Sequence, residues 1–261
     1  MPQFKTLMPI RTKGSGAPLF CVHGQPLRMA RQMSKGRPIY GLSHVYNSDF
    51  NDETPESIEE LAATYLSEMR LVQPVGPYYM CGFSAGALIA FEIARQLLAV
   101  GERIGNLTLV EPTFYDLSVV GESKLTILKE RSDSYISFLI DLLKRLPKSL
   151  RARSYNFGRG LVVKAYFILG RPLPENLRWL GYLKSLGPAM RRYSYKPIKC
   201  SAVLLYGDMS EETRGQWHAL WNDLLTKGAQ VEVFPDVKNH KEFMVEPALG
   251  RTVALIERMG D

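Results

Sequence analysis

Three cysteines are few for a chain of 261 residues, and an odd number rules out a fully paired disulfide framework. Cys21, Cys81 and Cys200 each lie in or beside a strand-like run. They read as buried free thiols of a reducing compartment, with no catalytic or metal role. The four histidines are not at ligand spacing, which argues against a metal hydrolase, and no metal or resident cofactor is expected. Linkers rich in Pro, Gly or Ser, low-complexity tracts and internal repeats are missing, so one domain over residues 1–261 carrying an insertion is expected. The N-terminus lacks the apolar core of a signal peptide. Long hydrophobic runs are absent too: the most apolar stretch, Leu161 to Leu169, is broken by Lys164 and is too short to span a bilayer. A cytoplasmic protein with no membrane contact follows as the expectation.

Acidic residues are scarce in one place. Between Gly121 and Lys199 there are 17 Lys or Arg against 5 Asp or Glu, whereas the whole chain has 33 against 26. The positive excess therefore belongs to one segment, which suggests an acidic partner or a phosphate-bearing substrate; a solvated helical face explains the same count. Nucleic acid is a poor third reading, because no nucleic-acid motif accompanies the charge.

What the chain does have is alternation of apolar strands and amphipathic helices, and with 46% hydrophobic residues it can fill a large core. Leu19–Val22 and Pro38–Leu42 read as short buried strands. A helix follows, with Thr54 as its expected N-cap and Pro55 at its first position. Its apolar residues Ile58, Leu61, Tyr65, Met69 and Val72 recur at three- and four-residue spacing, and Pro74 stops it. Later strands are read at Leu107–Val110, Ala202–Tyr206 and Val231–Phe234, with a helical segment around Trp217 and Trp221 between the last two. Repeated strand–helix alternation with continuously apolar strands predicts a mostly parallel sheet flanked by helices. Residues 114–195 break that rhythm: they contain helical patterns but no convincing strand. An all-helical insertion of this kind reads as a lid over the strand ends, where open α/β sheets bind ligands.

The most informative stretch is Tyr78-Tyr79-Met80-Cys81-Gly82-Phe83-Ser84-Ala85-Gly86, running into Ala87-Leu88-Ile89-Ala90-Phe91. An apolar strand ends in Gly-x-Ser-x-Gly and a helical pattern begins beyond it. That context lifts a serine hydroxyl above a sheet as a nucleophile. The bare five-residue pattern is weak, and a structural Gly-Ser turn is its bland reading; the flanking strand and helix give it weight.

A serine hydroxyl needs an adjacent base, and the base needs a carboxylate to orient it. In this arrangement the chain order is serine, acid, histidine. Two histidines follow Ser84. His218 lies in the Trp217–Trp221 helical segment and reads as structural, whereas His240 lies in a polar loop beyond the last strand, where the base belongs. For the acid, Glu111 ends the strand after the nucleophile helix and is preferred. Asp208 ends the next strand and is the alternative; a later position, where many such enzymes carry the acid, holds Ser210. The oxyanion needs two donors. The backbone N–H of Ala85 is the first and that of Gln25 the second, since Pro26 has none.

With these residues in place, the chain resembles a type I thioesterase domain of nonribosomal peptide and polyketide synthases, in the α/β-hydrolase superfamily. Beside the serine motif, the resemblance rests on Leu7–Arg11, Pro18–Gly24, Pro38–Leu42, the helix from Ser57, Val75–Tyr78, Tyr193–Lys196 and Asn239-His240. It implies an α/β-hydrolase fold with a helical lid, and release of an acyl, peptidyl or polyketide chain from the phosphopantetheine arm of a carrier protein. Release would pass through an acyl-Ser84 and end by hydrolysis or cyclisation. Docking of the carrier by the basic lid is the matching expectation. The family acid follows the same strand as Glu111 but is usually aspartate, and the stretch after His23-Gly24, usually longer and glycine-rich, here runs Gln25-Pro26-Leu27 and soon meets the next strand. Two rival readings stay open: an esterase or acyl-CoA thioesterase acting on diffusible substrates, and a catalytically idle ligand-binding domain.

Overall fold

The computed structural model describes residues 4–43, 56–112 and 186–258, the side chains of His240 and Lys241 excepted. Seven strands form one sheet: β1 (Leu7–Arg11), β2 (Leu19–Val22), β3 (Ile39–Leu42), β4 (Tyr78–Phe83), β5 (Ile104–Val110), β6 (Ala202–Tyr206) and β7 (Ala229–Val233). Their spatial order is β1-β3-β2-β4-β5-β6-β7, with β1 antiparallel to β3 and every other pair parallel. The expected mostly parallel sheet is therefore present. Strands β2, β3 and β6 are buried along their whole length, which explains their uninterrupted apolar composition.

Five α-helices are described with it: α1 (Pro26–Gln32), α2 (Ile58–Val72), α3 (Ala85–Ala99), α4 (Glu211–Leu224) and α5 (Ala248–Arg258). Among the described residues no helix is long and apolar enough to cross a membrane. The chain divides into two compact units, one of Met1–Asn47, Glu56–Phe114 and Tyr193–Asp261, the other of Ser48–Pro55 and Tyr115–Arg192. The sheet belongs wholly to the first. The expected lid at residues 114–195 lies mostly outside the described residues; residues 186–192 are helical.

Two elements escaped the sequence reading. Helix α1 stands where a direct run from Gln25 to the next strand was expected. Pro26 opens it, and Met29 and Met33, four residues apart, anchor it in the core. At seven residues it is too short to show helical periodicity. Strand β1 was missed because only Leu7 is fully buried along it.

The expected helix start also needs correction. Ser57, not Thr54, caps α2: its Oγ accepts the N–H of Glu60 at 3.1 Å. Thr54 and Pro55 lie outside the described residues. Ser57 wins because Glu60, at the third helical position, lies in reach of both its hydroxyl and the Glu56 N–H, which donates to Glu60 Oε2 at 3.0 Å. Four of the five expected apolar residues of α2, Ile58, Leu61, Tyr65 and Met69, are at most 1% exposed, while Val72, at the end of the helix, is only half-buried.

On that buried face sits one carboxylate, Glu68. The N–H groups of Lys5 (2.7 Å), Thr6 (2.9 Å) and Leu7 (2.7 Å) and the Thr6 hydroxyl (2.8 Å) all donate to it. It thereby ties the entry to β1 down onto α2. Glu68→Ala would leave these donors stranded and should cost about 3 kcal/mol or more. A fall in the urea midpoint checks this, with Glu68→Gln, which keeps an acceptor oxygen, intermediate.

Candidate active site

Among the described residues, three that are not glycine have positive φ: His23 (61°), Ser84 (56°) and Glu111 (50°). Each directly follows a strand, β2, β4 and β5 respectively, and these three strands are neighbours. A left-handed backbone costs a side-chain-bearing residue about 1 kcal/mol or more. Strain repeated at three adjacent carboxyl-terminal strand ends marks that edge of the sheet. It is also where the chain order reverses, β3 lying on one side of β2 and β4 on the other, which is the position of ligand sites in such sheets.

Ser84 connects β4 to α3 with φ 56° and ψ −119°. Its N–H donates to Val110 O and its carbonyl accepts from Ala87 N–H, both at 2.8 Å. The hydroxyl makes no capping bond to the helix. The flanking glycines are steric requirements. A Cβ on Gly82 would lie 2.4 Å from Gly86 O, and one on Gly86 would lie 2.2 Å from Val22 O. Only hydrogen fits there. The same closeness brings the end of β2, Val22 and His23, against the first turn of α3.

Ala85 starts a 15-residue helix. Its N–H is among the first four, which have no intrahelical acceptor and point toward the positive end of the helix dipole. Gln25 precedes α1, and its carbonyl is committed to that helix by the N–H groups of Arg28 and Met29 at 3.0 Å. Its own N–H is outside the helix. A small apolar pocket of ~20 Å³ ties these segments together, lined among others by His23, Gln25, Phe83, Val110, Phe243 and Met244. Two of these come from the 3-10 turn His240–Met244. The backbone of His240 therefore opens a turn whose other end packs at the same strand ends; its side chain lies outside the described residues.

The two candidate acids part company. Glu111 Oε1 accepts the N–H of Gly207 at 2.8 Å, at the end of β6. Gly207 in turn adjoins the loop leading to His240, since the next N–H, of Asp208, donates to Val237 O at 2.7 Å. Asp208 instead points outward, half-exposed, with Oδ2 2.8 Å from Lys238 Nζ. Ser210, at the position where an acid was considered, caps α4 by accepting the Thr213 N–H at 3.2 Å. His218 is engaged in the fold, its Nε2 2.9 Å from Ala229 O and 3.1 Å from Asn222 Nδ2. The Gly207 N–H is a contact of the candidate acid that the sequence reading missed; the glycine directly before Asp208 was its one visible sign.

No cysteine competes with the serine. All three are free and buried. Burial pushes the Cys81 thiol up to about 12 and that of Cys200 up to about 11, and raises Cys21 well above the usual range, so all stay protonated near neutrality. A larger cavity, ~630 Å³, lies at the opposite, amino-terminal ends of β5 to β7, bordered by Arg103, Lys199 and Lys227. Cys200 is among the residues that line it, whereas Gln25, Ser84, Ala85 and Glu111 are not.

Residues 31–129 match the thioesterase-domain family model. CymA of Salinispora arenicola, a probable non-canonical nonribosomal peptide synthetase, is 27% identical over 258 residues, which cover 94% of this chain and 3% of that protein. Indigoidine synthase of Dickeya dadantii is 41% identical over 114 residues, covering 41% of this chain and 8% of that protein. The resemblance to thioesterase domains holds. The chain thus spans only a small part of the curated relatives it matches. Among solved structures, the NocB thioesterase domain in covalent complex with a fluorophosphonate nocardicin G analogue has a TM-score of 0.64 at 21% identity, covering 97% of this chain and 98% of that one. At that identity the likeness shows the fold, which is the α/β-hydrolase fold of thioesterase domains.

The assignment of the acid has a direct test. Glu111→Ala should lower kcat by about 10³-fold or more, while Asp208→Ala changes it by no more than about twofold. Steady-state rates on an activated thioester decide, and full turnover by the first variant would remove Glu111 from the site.

Proposed function

We propose that this chain is a thioesterase that releases an acyl, peptidyl or polyketide chain from the phosphopantetheine thioester of a carrier protein. The observation that carries the reading is the row of strained residues, His23, Ser84 and Glu111, at adjacent strand ends, with a helix N-terminus beside the middle one.

In this mechanism Ser84 Oγ attacks the thioester carbonyl while His240 takes its proton. Glu111 holds the imidazole in the right tautomer and stabilises its charge. The N–H groups of Ala85 and Gln25 receive the oxyanion of the tetrahedral intermediate; such a donor is worth about 3–4 kcal/mol in the transition state. Collapse expels the arm's sulfur, which takes the proton from His240, and leaves the acyl group as an ester on Ser84. Water, or a nucleophile within the same acyl chain, then attacks that ester with His240 again as base. The products are an acid or a ring, and Ser84 recovers its proton. No bound cofactor enters any step, the phosphopantetheine being part of the substrate.

The experiment is to offer a panel of acyl-pantetheine thioesters and follow both protein mass and product. An acyl group localised to Ser84 and lost in Ser84→Ala is the expected outcome, with the product identified as acid or ring. Equal rates on free esters and carrier-bound thioesters would favour an enzyme of diffusible substrates. No adduct with any acyl chain would favour a binding domain.

A further inference from the structure

We propose that the notch between β5 and the turns leading into β6 and β7 is a second binding site, which takes a nucleotide by its phosphates. The inference is independent of the release function proposed above and concerns the opposite edge of the sheet.

The notch follows from unequal strand starts. The first pair joining β5 to β6 is Thr108 with Val203, so residues 104–107 run on with no strand beside them on that side. Against β4 the register slips in the same place. Tyr78 faces Ile104 and Tyr79 faces Asn106, which leaves Gly105 between them as a bulge outside the ladder. Backbone groups released in this way need another partner, and at an exposed rim a ligand can supply it. The space so formed is the cavity of ~630 Å³, a volume ordinary for small-molecule sites and far larger than one inorganic anion needs.

Three cations from three chain segments line it: Arg103 ahead of β5, Lys199 ahead of β6 and Lys227 ahead of β7. The segments of Lys199 and Lys227 are joined backbone to backbone. The Lys227 N–H donates to Cys200 O at 3.2 Å and the Ala202 N–H to Gly228 O at 3.3 Å. Burial raises the Cys200 thiol, and the Lys227 charge near it pulls the other way, so that ammonium stands close to the cavity wall. All three cations are exposed, and none forms an ion pair with a described residue. The one carboxylate of the lining, Glu102, is engaged by the Gly76 N–H at 2.9 Å. Cations converging on a concave wall repel one another and focus their field on an anion.

The rest of the wall selects a nucleotide over a bare anion or an acidic protein segment. Asn106 lines the cavity at 7% exposure. Its carboxamide has one partner among the described residues, the Thr108 hydroxyl, 3.3 Å from Nδ2 and 3.5 Å from Oδ1. A carboxamide carries donors and acceptor capacity for more than one neighbour, so the polar edge of a base can use what remains. Leu98 and Ile104, both partly exposed, add apolar wall for a ring. An acidic peptide would satisfy the cations and leave this wall uncovered.

Calorimetric titration of the full chain, at about 0.15 M salt, compares ADP, pyrophosphate and adenosine. ADP should bind saturably, pyrophosphate about threefold or more weaker, and adenosine weaker still. Lys199→Gln combined with Lys227→Gln should raise the Kd for ADP about tenfold or more, and Arg103→Gln about fivefold. Arg31→Gln combined with Lys35→Gln, at two exposed cations outside the lining, should change it by no more than about twofold. All five residues are exposed, so melting temperatures without ligand should match wild type; added ADP should raise that of wild type and not that of the Lys199/Lys227 variant. No saturable binding of ADP, or equal loss in the Arg31/Lys35 variant, would overturn the site. Adenosine binding as tightly as ADP would remove the cations from it, and pyrophosphate binding as tightly would remove the nucleotide. A short poly-glutamate peptide outcompeting ADP would assign the notch to an acidic protein segment instead. Ser84→Ala should bind ADP like wild type, which separates this result from the fate of the release reading.

Discussion

The contact on which the rest depends is the near-touching of β4, the end of β2 and the first turn of α3. Gly82 lets α3 lie directly on its own preceding strand, and Gly86 lets the carbonyl of Val22 approach the helix at a distance no side chain permits. With both neighbours that close, the connecting residue has no room for a relaxed turn. Ser84 takes φ 56° and is held there by bonds from its N–H and to its carbonyl. The tight packing thus supplies both the strain and a serine whose hydroxyl is unused by the helix cap.

Why the sequence revealed this part of the molecule and not others follows from the same physics. Gly-x-Ser-x-Gly is legible because its glycines answer a local steric demand that few other residues satisfy. The buried strands β2, β3 and β6 are legible because both faces are covered and their composition is uniformly apolar. By contrast β1 is held by Glu68 from outside the strand, and α1 has only Met29 and Met33 to show, so neither leaves a periodic trace. Thr54 and Ser57 are equally good caps on paper; the choice was made by Glu60, whose position matters only once the helix exists. The two candidate acids look alike on paper, since Glu111 and Asp208 both end strands; their surroundings differ by a backbone N–H on one side and a lysine on the other, neither visible before folding.

Buried carboxylates recur in this fold as fasteners. Glu68 fixes the start of β1. Glu92, on α3 with no exposure at all, binds Arg95 through two contacts of 2.6 and 2.7 Å, Gln96 at 2.8 Å and the Tyr193 hydroxyl at 2.8 Å. Gln96 also reaches the carbonyl of Glu59 at the start of α2. A buried charge is tolerable only when its lone pairs are all answered, and here answering them locks α3 to α2 and to the chain segment at Tyr193. Those ties lie two turns and more from Ser84, along the helix whose first residue carries a proposed oxyanion donor.

The glutamate at position 111 shows how one departure from the expected aspartate is absorbed. A longer side chain would swing past its target unless something stopped it. The Gly207 N–H does so, capturing Oε1 at 2.8 Å. That capture requires glycine: a Cβ there would lie 2.7 Å from Val237 O and 3.4 Å from Oε1 itself. Val237 belongs to the loop leading to His240, so the carboxylate, the end of β6 and the approach to the proposed base form one chain of contacts. A change at Gly207 would therefore act on the site through Glu111 although residue 207 has no side chain to contribute.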